Sequence, residues 1–91
     1  MSAVNFQVGA RRFPLPAEES AQLEQRLRDR GDSTAEARDL ADRIERAREL
    51  GHTVYPSRIE LVALRDSLGD LGSSLSPAGV ELQEQVVGEI R

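Results

Sequence analysis

The chain has 91 residues, a net charge of −4, no cysteine, two Phe, one Tyr and no Trp, and 38% of its residues are hydrophobic. This length predicts one domain with a modest core. The acidic balance argues against general binding to polyanions, because phosphate contacts need clustered positive charge. The lack of cysteine excludes disulfides, thiolate catalysis and Cys-ligated metal sites.

Membrane association is not expected. The first residues carry no basic segment followed by an apolar run, so they do not resemble a signal peptide. No apolar stretch approaches the length of about 20 residues that spans a bilayer. We therefore expect a cytoplasmic protein.

All twelve basic residues are Arg, which fits either GC-rich codon usage or selection for bidentate ion pairs.

A β-hairpin over residues 4–15 is the first predicted element. Two runs of alternating polar and apolar residues flank Gly9-Ala10, which can form the turn. Pro14 has no amide hydrogen, so the second strand should be short or lie at an edge. The apolar positions of the two strands are Val4, Phe6, Val8, Phe13 and Leu15.

Four helices should follow, over residues 16–30, 33–50, 57–71 and 76–90. Glycines mark the ends of the first two, at Gly31 and Gly51. Capping boxes mark the starts of the second and third, because Ser33 and Ser57 each precede a Glu by three residues. Ser76 and Pro77 suit the start of the fourth.

The third helix has the clearest apolar stripe and should form the centre of the core. Its stripe is Leu61, Leu64, Leu68 and Leu71, which Val62 should widen. On the second helix, Asp39–Arg43 and Asp42–Arg46 have the spacing of ion pairs on a solvated face. The short connections make consecutive helices neighbours. The predicted fold is mainly α, a small four-helix bundle with an N-terminal β-hairpin.

Catalysis is not indicated by any motif. His52 follows a helix end, and no local motif supplies the partner that would orient it as a general base. Glu45 and Glu49 share a helix face, and His52 follows three residues further on. These three residues could ligate a metal, although Arg46 and Arg48 make ordinary ion pairs the simpler interpretation. We expect a protein that is not an enzyme and has no catalytic, cofactor or metal residues.

The hairpin gives the main functional hypothesis. Two isolated strands are marginal in water, so they should pack on the helices or pair with another chain. No third strand is evident in the sequence. We therefore expect a small protein-interaction module that self-associates, with contacts from the hairpin and from the fourth helix: Phe6, Val8, Arg11, Arg12, Phe13, Leu82, Val86 and Ile90.

DNA binding is the alternative hypothesis. The second and third helices, joined through residues 51–56, could form a helix-turn-helix. The basic residues that would contact DNA are Arg11, Arg12, Arg58 and Arg65. Against this, Glu60 and Asp66 lie on the same helix and would repel phosphates, and the connection is longer than the usual turn.

Overall fold

The computed structural model describes residues 3–30 and 35–90. It confirms a mainly α fold with a two-stranded hairpin. The predicted stop at Gly31 and cap at Ser33 lie outside the described residues. The elements are β1 Val4–Val8, β2 Arg11–Leu15, α1 Ala17–Arg30, α2 Ala35–Leu50, α3 Arg58–Leu71, a 3₁₀ turn Gly72–Ser74 and α4 Pro77–Ile90.

One face of the hairpin packs against helices of the same chain. Strands β1 and β2 pair antiparallel, with Phe6 opposite Phe13, and Gly9 adopts φ +61° in the turn, a conformation that favours glycine. Helix α4 packs against both strands and α2 against β1. The predicted apolar face is buried at all five of its positions: Val4, Phe6, Val8, Phe13 and Leu15.

A third extended segment covers the free edge of β1. The Gln7 amide donates to the Val54 carbonyl (2.9 Å), and the Val54 amide donates to the Asn5 carbonyl (2.8 Å). Val54 thus forms an isolated parallel bridge with β1, opposite Phe6. The sheet itself has two strands, as the sequence indicated. The bridge at its free edge was not predicted, because one bridging residue is too short to leave an alternating pattern.

The α2–α3 connection follows the local signals in the sequence. Gly51 adopts φ +76° and its amide donates to the Ala47 carbonyl at 2.8 Å, which ends α2. The capping box of α3 is present in both directions. The Glu60 amide donates to Ser57 Oγ (3.4 Å), and the Ser57 amide donates to Glu60 Oε1 (2.7 Å).

Helix α4 is fixed to the start of α1 by a buried carboxylate. Ser76 caps α4, since its Oγ accepts from the Gly79 amide at 3.2 Å. The same residue donates its amide and its hydroxyl to Glu19, at 2.6 and 2.9 Å. The cap was predicted from the sequence, but its partner on α1 was not.

The charges of α2 pair across elements rather than along the helix. Asp42 accepts from Arg28 of α1 at 2.9 Å, and Arg43 pairs with Glu60 of α3. The predicted pairs Asp39–Arg43 and Asp42–Arg46 are therefore wrong. Hydrogen bonds from Arg28 to Glu24 and then to Asp42 raise the pKa of that guanidinium. Because α2 packs against α1 and α3, the charged side chains of those helices lie closer to Asp42 and Arg43 than the residues one turn away on α2 do.

Candidate interaction surface

The predicted hairpin and α4 contacts lie mostly inside the protein's own core. Burial leaves these side chains unavailable to a partner that docks on this fold, which corrects their assignment as contact residues. These side chains are buried because the helices provide the apolar surface against which the hairpin packs. The buried members are Phe6, Val8, Phe13, Leu82 and Val86.

Three predicted contact residues keep accessible atoms. The guanidinium carbon of Arg11 lies 5.0 Å from the centroid of the Phe13 ring, and Arg11 Nη2 lies 3.7 Å from Glu81 Oε2. Arg12 is exposed on the opposite face of the sheet, and Ile90 is partly buried against the core. An exposed pair such as Arg11–Glu81 contributes little to stability.

The outer edge of β2 is poorly suited to strand addition. The register and the Val54 bridge direct the backbone groups of residues 11, 13 and 15 toward β1, and those of Arg12 and Pro14 away from it. Pro14 has no amide to donate. In a two-fold pairing about Arg12, two guanidinium groups would face each other, which is unfavourable.

The exposed apolar side chains are concentrated elsewhere, around the start of α3. Four of the five large apolar side chains exposed in the described ranges lie between residues 50 and 62. Val62 belongs to this group and not to the core stripe, so its predicted role was wrong. We call this surface the connector face. Its members and their exposed fractions are Leu50 (64%), Tyr55 (59%), Ile59 (69%) and Val62 (41%).

Ion pairing holds the connector face in place. Arg43 donates to the Tyr55 carbonyl at 2.8 Å and pairs with Glu60, the buried acid of the capping box. Burial alone would raise the pKa of Glu60, but hydrogen bonds from Arg43 and Ser57 outweigh it and lower the pKa. The backbone that presents Tyr55 is therefore tied to both α2 and α3.

A cationic groove borders the connector face. Its volume is about 260 Å³ and it is lined by Arg43, Arg46, His52, Thr53, Val54 and Tyr55. No acidic side chain lines it. Arg46 and Arg58 are exposed, and neither has an ion-pair partner among residues 3–30 and 35–90. Aromatic residues and Arg are the types enriched in protein interfaces.

The side chains named for DNA binding lie on two elements. Arg11 and Arg12 belong to β2, and Arg58 and Arg65 to α3. Arg65 pairs with Asp66 at 3.1 Å, and Arg11 is near Glu81. Two of the four guanidinium groups therefore already lie beside carboxylates that would repel a phosphate.

The part of the chain that the structure describes holds no group of three or more His, Asp or Glu side chains placed to bind a metal. None of its helices combines the length and apolarity needed to cross a bilayer. Comparison of the chain with protein-family models, curated proteins and solved structures gave no match. The function must therefore be argued from the surface itself.

The connector face could have been suspected from the sequence. Ile59 and Val62 are three residues apart and lie off the stripe that begins at Leu61, so they form a second apolar line on the same helix. A helix that is apolar on two sides is either fully enclosed or bound on its second side. The chain alone does not indicate which of these applies.

Proposed function

We propose that this protein is a small interaction module that associates with copies of itself through the connector face. One observation carries the proposal: four of the five exposed large apolar side chains of the described residues fall within residues 50–62. Ile59 and Val62 lie three residues apart on one side of α3, and exposed apolar neighbours of this kind are typical of a binding surface. The hairpin contributes to this role by packing on the helices and by pairing with Val54.

The energetics favour weak association. Full burial of one side chain such as Ile59 contributes about 1.5–3 kcal/mol. Association costs about 4–15 kcal/mol in lost translational and rotational freedom. One such side chain cannot offset that cost, so several must be buried together. The pinned Tyr55 backbone helps, because a rigid surface loses less entropy on binding.

The experiment is light scattering over a concentration series. The measured mass of the wild type should rise with concentration above the 10.0 kDa of a single chain. The mass of Ile59→Arg should stay at that value, because the substitution places a charge in the contact. Gln22→Arg is the matched control, since it adds the same charge at an exposed position of α1. A circular dichroism spectrum establishes that each variant is folded.

Two results would contradict the proposal. A wild type that stays at the mass of one chain at every concentration would exclude self-association. An Ile59→Arg variant that associates as strongly as wild type would place the contact elsewhere. Val62→Arg replaces Ile59→Arg if the latter fails to fold.

A further inference from the structure

Helix α4 has a second exposed surface of complementary chemistry. A groove of about 380 Å³ runs along its outer side, and Val80 is 42% exposed there. We call this surface the α4 face; it consists of Val80, Gln83, Glu84, Val87 and Gly88. The helix as a whole carries three acidic residues and no basic one.

The charges of the two surfaces are opposite and partly unpaired. Glu84 is exposed and has no ion-pair partner among the described residues. Glu81 and Glu89 are nearby, but they already contact Arg11 and Gln85. Arg46 lines the groove beside Tyr55, Arg58 precedes Ile59 in α3, and both are unpaired in the same sense. The α4 face thus offers apolar side chains with an unpaired acid, and the connector face offers apolar side chains next to two unpaired cations.

The α4 face lies on a helix that packs against α3, which carries Ile59 and Val62 of the connector face. Helices α3 and α4 are joined by a short turn and pack together, and an added Cβ at Gly69 would lie 3.8 Å from the Gln83 amide nitrogen. A two-fold arrangement can therefore use both surfaces of both chains.

We propose that the α4 face of one copy docks on the connector face of a second copy, with Glu84 directed at the cations around Arg46 and Arg58. This inference rests on the proposed self-association and specifies its second surface. A second copy fits because it supplies the acidic and apolar surface that the cationic and apolar one requires. Charge complementarity of this kind fixes which surfaces meet.

Complementation between two variants tests the pairing. Ile59→Arg damages the connector face and leaves the α4 face intact, while Glu84→Arg does the reverse. Each variant alone should show at least about a tenfold weaker self-association than wild type. An equimolar mixture should recover mass toward twice the 10.0 kDa of one chain, because the two different chains can form one intact contact.

The outcomes separate this inference from the proposed function. If Glu84→Arg associates like wild type while Ile59→Arg does not, the connector face is the interface but the α4 face is not its partner. A mixture that stays as weak as the single variants also overturns the pairing. If Ile59→Arg associates like wild type, both proposals fail. Gln22→Arg again controls for the charge that Ile59→Arg adds. Glu84→Arg reverses a charge, so its matched control is Glu18→Arg, at an exposed position of α1.

Discussion

Replacing Phe13 with Ala should be among the most damaging single substitutions in this chain. The Phe13 side chain is 1% exposed and lies directly opposite Phe6 in the hairpin. Its ring also meets the Arg11 guanidinium, 5.0 Å from the ring centroid. The substitution removes half of the phenylalanine content of a core that has no Trp.

The expected loss in free energy of unfolding is about 3–5 kcal/mol, the range for buried Phe-to-Ala changes. The contact with Arg11 adds about 0.5–1 kcal/mol at an exposed site. A chain of this length has a total stability of about 5–14 kcal/mol. The variant should therefore lose about a fifth or more of its stability.

Urea denaturation followed by the helical circular dichroism signal measures this loss. Arg12→Ala is the matched control, because the neighbouring side chain is exposed and its removal should change stability by less than about 0.5 kcal/mol. A loss below about 1 kcal/mol for Phe13→Ala would refute the reasoning, since it would mean that the hairpin contributes little to the core.

Substitutions at Gly79, Gly88 and Glu60 test particular contacts. Gly79→Ala should destabilise the fold by about 1–3 kcal/mol, because its Cβ would lie 2.7 Å from a Glu19 oxygen. An added Cβ at Gly88 would have no neighbour within 4 Å, so Gly88→Ala should leave the stability unchanged or raise it by up to about 1 kcal/mol. Equal urea midpoints for the two variants would contradict this difference. Arg43 lowers the pKa of Glu60 from its ordinary value of 4.5. The charged carboxylate therefore stabilises the fold at pH values above 4.5, and this contribution is lost as the pH falls through the lower pKa of the folded state. Wild-type stability should therefore decline more steeply with acid than that of Glu60→Gln, and parallel curves would count against the ion pair.

Signals that act over a few residues predicted much of the fold. The hairpin followed from alternating apolar residues and a glycine turn, and Gly9 does adopt φ +61°. The start of α3 followed from the Ser57–Glu60 capping box, in which both hydrogen bonds join residues three apart. Such features depend on local geometry and are therefore legible in a single sequence.

The candidate interaction surface was predicted less well. The proposed contacts at Phe13 and Val86 were correctly identified as apolar, but only the folded chain shows that they are used internally. Val62 was assigned to the core stripe and is instead exposed. Helix α3 is apolar on two sides, and the sequence does not indicate which side neighbouring elements cover.

The helices, the hairpin turn and the residues able to form a core could be predicted from the amino-acid sequence, because propensity, periodicity and capping act within one element. The contacts between elements were established only by tertiary packing. It placed Val54 beside β1, turned Asp42 toward Arg28 and joined Glu19 to Ser76. These contacts link residues far apart in the chain, and they depend on how the elements pack and on which polar groups burial brings within hydrogen-bonding distance.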